Sequence, residues 1–146
     1  MTKQGETEKI NAFSRFETEM RVRPDDIDMN QHVHNSRYFD YVLAARYDQM
    51  ERCYKMPMHE FLEHGYGWVV RTASIEYKRP LTLGEYFVVR TWIQEIHSDG
   101  VQVHFQIIRK ENQKICCDGF FNYTMVSTKT GRAEKIPDWI AERYSI

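Results

Sequence analysis

The first regular pattern in the chain is an alternation of apolar and polar positions directly ahead of Pro24. Every second residue is apolar or β-branched, and charged residues stand between these positions, which are Phe16, Thr18, Met20 and Val22. A period of two predicts a strand with one buried face. Because proline cannot continue the hydrogen-bond ladder of a sheet, we expect this first strand to end before Pro24.

A long segment without glycine or proline follows, from Asn35 to Met56. Its apolar residues recur at helical spacing, and they include Tyr38, Tyr41, Val42, Ala45 and Cys53. This spacing predicts one long helix with Asn35 as its N-cap. Residues 38–45 are apolar almost all round, so we expect a central helix that a sheet covers. Pro57 and Gly65 then bracket a short second helix.

The second half of the chain predicts four more strands. Each is rich in β-branched and aromatic residues, and turn signals separate them: Trp68–Arg79, Glu85–His97, Val101–Arg109 and Lys114–Val126. Asp99 and Gly100 predict a hairpin. Short connections imply antiparallel neighbours, so the pattern predicts an α+β fold in which a five-stranded sheet packs on one long helix. Pro137 begins a short C-terminal helix that Trp139 and Ile140 hold in place.

Composition and charge narrow the class of protein. A length of 146 residues is typical of one domain, and we expect a single domain over residues 1–146, with residues 1–12 as a loose N-terminal tail. The 20 basic residues nearly balance the 21 acidic ones, so we expect neither nucleic acid nor a membrane as partner. The three cysteines suit neither a disulfide framework nor a zinc site, which favours the cytoplasm.

The residues between the first strand and the long helix are the richest in chemical groups. Aspartate, asparagine, glutamine and histidine fill most positions from Asp26 to Asn35. A helix start presents unpaired N–H groups and partial positive charge, so such a segment can hold a carboxylate, a phosphate or a developing oxyanion. Turns and capping explain the same residues, and on the residues alone this is the simpler interpretation.

A metal site and a reactive cysteine are two alternatives. His32 and His34 near aspartates resemble a zinc-binding pattern, but the remaining histidines are scattered and form no second ligand cluster. We therefore expect no metal site. Cys116 and Cys117 fall within a predicted strand, where a buried thiol without a partner base is inert. We interpret both cysteines as packing residues.

The segment from Asp26 to Tyr38 resembles the signature of the 4-hydroxybenzoyl-CoA thioesterase-like family. That signature is Asp-x-Asp, two variable residues, Gly-His-Val-Asn-Asn and a tyrosine three residues later, just before the central helix of a hotdog fold. Gln31 stands at the glycine and His34 at the first asparagine. The stretch from Asp28 to Val33 resembles plant acyl-ACP thioesterases still more closely, although Pro80 replaces the glutamate that completes their site.

The resemblance implies an enzyme, a thioesterase that hydrolyses an acyl-CoA or acyl-ACP without a cofactor. Its fold would be an antiparallel five-stranded sheet wrapped around one long central helix. Asp28 would be the general base for water or the nucleophile, with Asn30 and His32 positioning water or carboxylate. The N–H of Asn35 would polarise the thioester carbonyl. With one hotdog unit in the chain, the resemblance also implies a homodimer or homotetramer that completes the site.

The residues that bind the substrate are less closely specified. Tyr38, together with Tyr41 and Tyr47, could line the acyl pocket, and packing in the core or in a dimer contact is the simpler explanation. Lys78 and Arg79 could hold the phosphates of the carrier, while a solvated strand end explains them equally well. We list Tyr38, Lys78 and Arg79 as candidate substrate-binding residues.

Two other functions fit the same architecture. A hotdog hydratase or dehydratase would use a histidine with an acidic partner, and the Asp-x-Asn-x-His spacing from Asp28 to His32 argues against it. A non-catalytic acyl-CoA binding module would use the pocket only to sense ligand. Such a regulator should carry a fused nucleic-acid-binding domain, and no part of the sequence fits one.

Overall fold

The five predicted strands form one antiparallel sheet in the order β1-β3-β4-β5-β2. The computed structural model describes residues 13–146, so the predicted N-terminal tail, residues 1–12, lies outside the described residues. The strands are β1 (Arg15–Arg21), β2 (Tyr66–Tyr77), β3 (Tyr86–Ile96), β4 (Gly100–Arg109) and β5 (Ile115–Ser127). The helices are α1 (Asn35–Arg52), α2 (Met58–Glu63) and α3 (Asp138–Tyr144).

The alternation along β4 and β5 determines which side chains enter the core. Four alternate residues of β4 are at most 2% exposed, as predicted: Val101, Val103, Phe105 and Ile107. On β5 both Cys116 and Cys117 are fully buried, although neighbouring strand residues normally face opposite sides. The pairing with β4 shifts at this point, so Cys116 is an extra residue in a bulge. Burial raises the pKa of the Cys117 thiol to about 12, so it is a packing group.

Helix α1 packs one face against the sheet. Its buried residues follow three- and four-residue spacing, and they are Tyr38, Tyr41, Val42, Ala45, Arg46, Gln49 and Met50. On the other side of the helix, Leu43 and Tyr47 are 37% and 57% exposed. The sheet therefore covers one face of the helix, while its opposite apolar face is open in the single chain.

The two ends of α1 differ from the predicted ones. His34 is the N-cap and Asn35 is the first helical residue, so the prediction of Asn35 as the cap is wrong. The helix ends at Arg52 instead of continuing to Met56. The cause is a reversal at Lys55, which adopts a φ of +60°, and this turn directs Met56 into the core.

The remaining helices close one end of the molecule. Helix α2 lies between Pro57 and Gly65 as predicted, and Gly65 adopts a φ of +80° after the helix. Helix α3 docks through the fully buried Ile140, with Trp139 partly buried beside the same core cluster. Within residues 13–146, no helix is long and apolar enough to cross a membrane. The antiparallel sheet packed on one long helix confirms the α+β hotdog fold.

Candidate active site

The polar segment ahead of α1 is anchored by a buried carboxylate. Asp26 is only 5% exposed, and its Oδ2 accepts hydrogen bonds from the hydroxyl of Tyr41 at 2.7 Å and from the N–H of Arg23 at 3.0 Å. The Nε of Arg37 lies 3.7 Å from the other carboxylate oxygen. Because each contact comes from a different part of the chain, Asp26 ties the segment to the helix.

Asp28 organises the turn that follows. Its Oδ1 accepts hydrogen bonds from the N–H groups of Asn30 at 2.9 Å and His32 at 3.1 Å. Its own N–H donates to the carbonyl of His32 at 2.8 Å, and an isolated bridge pairs His32 with Thr82. Among the described residues, no donor bonds the second oxygen of Asp28. One carboxylate oxygen therefore holds the turn, and the other remains available to a water or a substrate.

The tip of this turn requires a left-handed backbone. Gln31 adopts a φ of +63°, a conformation that costs a residue with a Cβ about 1 to 2 kcal/mol relative to the right-handed region. Glycine adopts it without that steric cost. The family signature has glycine at this position, so the structure explains why that residue type suits it. Gln31 keeps the same turn at the expense of local strain.

Gln31→Gly is expected to stabilise the protein. Removal of the Cβ relieves the left-handed strain, and the greater freedom of glycine in the unfolded chain offsets part of the gain, leaving roughly 0.5 to 1 kcal/mol in the free energy of unfolding. Urea denaturation of the wild type and the variant measures this difference. Gln31→Ala is the matched control, since it keeps the Cβ and should give no gain. A lower stability of the glycine variant would contradict this account.

The start of α1 presents backbone donors toward solvent. The N–H of His34 donates to the carbonyl of Asp26 at 2.9 Å, and His34 makes no side-chain cap. Within the described part of the chain, no acceptor bonds the N–H of Asn35. The aligned peptide dipoles of this 18-residue helix add partial positive charge at that point. The geometry therefore suits a carbonyl oxygen that becomes negative during a reaction.

Asp28 and the start of α1 line the same open depression, which has a volume of about 330 Å³. Its lining residues are Asp28, His32, Val33, Asn35, Tyr38, Tyr77, Lys78, Arg79 and Pro80. Six of the seven predicted site residues are thus brought together. Asn30 is the exception, since it is exposed and does not line the depression. It contacts Asp28 through its backbone N–H.

Tyr38 forms the floor of the depression. Only 3% of the residue is exposed, and its hydroxyl accepts a hydrogen bond from the N–H of Leu81 at 3.1 Å. Burial raises the pKa of Tyr38, so the phenol is neutral. Tyr41 is also buried, whereas Tyr47 is exposed and lines a separate cavity. For Tyr38 and Tyr41 the structure therefore favours the core-packing interpretation.

Two basic residues stand at the mouth of the depression. Lys78 pairs with Asp118 at 2.9 Å, and this hydrogen bond raises the pKa of Lys78. The Nη1 of Arg79 donates to the carbonyl of Ile115 at 2.9 Å. In residues 13–146, no carboxylate forms an ion pair with Arg79. Arg79 thus offers a positive charge to a ligand more readily than Lys78.

Sequence reasoning missed Tyr77 as a site residue. Tyr77 ends β2, lines the depression, and donates from its hydroxyl to the carbonyl of Asn35 at 3.1 Å. Its ring packs against Tyr38 with 5.5 Å between the centroids. The sequence did contain a hint, because Tyr77 directly precedes the candidate residue Lys78. Only the fold, however, brings the end of β2 to the start of α1. In the described part of the chain, no group of three or more histidine, cysteine or acidic residues could hold a metal.

Comparisons with known proteins match nearly the whole described chain. The family model described as "Thioesterase-like superfamily" matches residues 22–144. The long-chain acyl-CoA thioesterase FadM of Escherichia coli (strain K12) is 23% identical over 128 residues, which make up 88% of this chain and 96% of that protein.

Two solved structures share the fold. A hypothetical protein from Thermus thermophilus has 28% sequence identity and a TM-score of 0.81, over 88% of this chain and 96% of that one. A DHNA-CoA thioesterase from Staphylococcus aureus has 19% identity and a TM-score of 0.82, over 90% of this chain and 89% of that one. At 19% identity the second likeness is one of fold alone.

Proposed function

Since this chain belongs to the thioesterase-like superfamily and is a thioester hydrolase, we propose that its substrates are acyl-CoA thioesters. The similarity to FadM, a long-chain acyl-CoA thioesterase, supports coenzyme A as the carrier. The charge of Arg79 at the mouth of the depression supports it as well, because a guanidinium suits phosphate oxygens. An acyl-ACP, as the resemblance to the plant enzymes implies, is the alternative carrier.

The observation that carries this proposal is the shared depression of Asp28 and Asn35. Hydrolysis of a thioester needs a group that activates water and a donor for the oxyanion that forms on the carbonyl. Asp28 has one carboxylate oxygen without a hydrogen-bond donor among the described residues, and the N–H of Asn35 has no acceptor there. Both residues line the same depression.

In the proposed reaction, the free oxygen of Asp28 takes a proton from a water molecule. The oxygen of that water forms a bond to the acyl carbon while the N–H of Asn35 stabilises the oxyanion. The C–S bond then breaks and the thiolate leaves, later taking a proton to give the free thiol. In the alternative route the carboxylate of Asp28 attacks the acyl carbon, the C–S bond breaks and the thiolate leaves. Water then cleaves the resulting mixed anhydride to the free acid and regenerates the carboxylate of Asp28. His32, in the same lining, positions the water or the carboxylate.

We further propose a homodimer, alone or as half of a homotetramer, built along β2. This strand of 12 residues is one edge of the sheet and is mostly exposed. The other edge strand, β1, has seven residues and exposes a charged residue at every second position. Charged, short edges discourage pairing, whereas a long exposed edge favours it. Since Tyr77 ends β2 at the depression, a second copy paired along β2 would lie beside the site.

A thiol-release assay tests the proposed function. Purified protein is offered saturated acyl-CoA thioesters of several chain lengths, the same acyl groups on ACP, and a trans-2-enoyl-CoA. Release of free coenzyme A well above the rate without protein is the expected result. Hydration of the enoyl group without thiol release would favour a hydratase. Measurable binding of acyl-CoA with no turnover on any thioester would favour the binding module.

A further inference from the structure

A second cavity lies along the exposed side of α1, toward its C-terminal half. It has a volume of about 360 Å³ and lies between α1 and the inner face of β2. Its lining is mainly apolar and aromatic, and it includes Phe39, Leu43, Met50, Trp68, Val70 and Tyr123. A surface of this kind suits a hydrocarbon chain.

Arg46 is the exception in this apolar lining. The residue is only 7% exposed, and its guanidinium lies 5.3 Å from the centre of the Tyr54 ring. Its guanidinium donates to the hydroxyl of Thr91 at 3.3 Å and lies 3.4 Å from the sulfur of Met50, and it also interacts with the neutral hydroxyls of Tyr54 and Tyr144. Of the carboxylates in residues 13–146, none forms an ion pair with it. Since an arginine keeps its charge when buried, this cation lacks a counter-charge.

Two further donors in the same lining lack partners. The Nε1 of Trp68 and the hydroxyl of Tyr123 are buried, and neither has a hydrogen-bond partner among the described residues. Buried polar groups without a partner are rare in folded proteins and call for a cause. Burial raises the pKa of Tyr123, so its hydroxyl keeps the proton that it could donate. Both residues line the same cavity as Arg46, so the polar groups of this lining are all hydrogen-bond donors.

A hydrogen-bond network holds Arg46 in place from the sheet side. The hydroxyl of Thr91, which accepts from Arg46, donates to the side-chain oxygen of Gln49. The amide nitrogen of Gln49 donates to the hydroxyl of Thr18 at 3.1 Å and to the carbonyl of Val89 at 3.3 Å. Gln49 is fully buried, so the guanidinium is supported by a rigid part of the core. A supported donor of this kind binds a ligand with little loss of side-chain freedom.

The depression and the cavity lie along one face of α1. Asn35, Phe39, Leu43 and Arg46 follow each other at intervals of four, four and three residues, which places them on a single helix face. At a rise of 1.5 Å per residue, Arg46 lies about 16 Å along the axis from Asn35. An acyl group that has its carbonyl at Asn35 and follows this face of the helix would have its far end at Arg46.

Resting on the proposed function, we propose that this cavity takes the far end of the acyl group and that Arg46 selects acyl groups with a carboxylate there. A guanidinium matches the two oxygens of a carboxylate in a planar, paired arrangement. The favoured substrates are thus mono-thioesters of long α,ω-dicarboxylic acids. A free fatty acid lying in the reverse direction is a second source of a carboxylate, and the experiment separates the two.

The test compares matched pairs of substrates. For each chain length, kcat/KM is measured with the mono-CoA thioester of the dicarboxylic acid and with that of the monocarboxylic acid. One acyl chain length should reach from the depression to Arg46. At that length, kcat/KM of the wild type is expected to be at least about tenfold higher for the dicarboxylic substrate, the range expected for a hydrogen bond to a charged group. Arg46→Met should abolish this preference and Arg46→Lys should retain part of it.

Arg132→Met is the matched control, because Arg132 is exposed and should leave the preference unchanged. Thermal unfolding of Arg46→Met shows whether a lost preference for dicarboxylic substrates comes from a loss of the fold. We expect the fold to be preserved, because an apolar side chain of similar size replaces a buried charge without an ion-pair partner. Equal ratios in the wild type and Arg46→Met would overturn the proposal.

Calorimetric titration with the free dicarboxylic acid and the matching fatty acid provides a readout that does not need hydrolysis. If no thioester is cleaved, the proposed function fails. At least about tenfold weaker binding of the diacid to Arg46→Met would then still support the carboxylate site, whereas equal affinity would overturn it. Arg46-dependent binding of the fatty acid, without any preference for dicarboxylic thioesters, would instead assign the cavity to the product acid and overturn the substrate assignment.

Discussion

Asp28→Asn is expected to lower kcat for thioester hydrolysis by about a thousandfold, within the usual range for the loss of a general base. The amide cannot take a proton from water and cannot attack the acyl carbon. Its side-chain oxygen can still accept the hydrogen bonds that Asn30 and His32 donate to Oδ1. The turn should therefore keep its shape, so the loss would reflect chemistry and not folding.

The measurement is thiol release under saturating acyl-CoA, with thermal unfolding to show that the fold is retained. Asp25→Asn is the matched control. It removes the same charge from the same segment, but its side chain is 59% exposed and, within residues 13–146, pairs with the exposed Arg23 alone. Wild-type rates in Asp28→Asn, or an equal loss in Asp25→Asn, would remove Asp28 from the proposed mechanism.

Ala73→Pro is expected to convert a β2-paired dimer to monomers and to lower activity by about a hundredfold, the scale at which misplaced site groups impair catalysis. The carbonyl oxygen of Ser74 lies so close to Gly119 of β5 that a Cβ added to Gly119 would stand 1.8 Å from it. The backbone N–H and C=O of Ser74 therefore face β5. Because these groups alternate along a strand, those of Ala73 face the free edge. Proline at Ala73 removes a donor from that edge alone.

Analytical ultracentrifugation and the thiol-release assay measure both effects. Ala73→Thr keeps the N–H and has a high preference for strands, so it should remain assembled and active. A proline variant that is monomeric and fully active would show that one chain completes the site. A proline variant that stays assembled would place the interface on another surface of the molecule.

The strand pattern was predictable because burial on one face of a sheet imposes an alternation that is visible in sequence. The limits of β2 were less predictable. It begins at Tyr66, two residues ahead of the predicted start, because pairing with Ser127 extends it. It ends before Lys78, whose N–H turns to the carbonyl of Cys116 in the bulge. Both limits depend on the partner strand, which a local pattern does not contain.

The candidate site was only partly predictable for a similar reason. The segment that carries Asp28 is local, so the signature located it and showed that Gln31 stands at the family's glycine. The left-handed backbone at Gln31 became visible only in the structure. Tyr77 and Arg46 reach their places through tertiary packing. In sequence, Arg46 is one charged residue among others on a helix, and its burial depends on how α1 lies against the sheet.

The depression and the cavity lie at different positions along α1, so substitutions can change one of them without changing the other. The loop with Asp28 is bound to α1 through Asp26 and, through the bridge between His32 and Thr82, to the segment that precedes β3. The cavity begins at Phe39, about one helical turn beyond Asn35. In the proposed assignment, substitutions at Leu43 or Arg46 change the range of acyl groups and leave the residues proposed for the chemical step in place. New specificities can arise by drift in one region under selection that preserves the other.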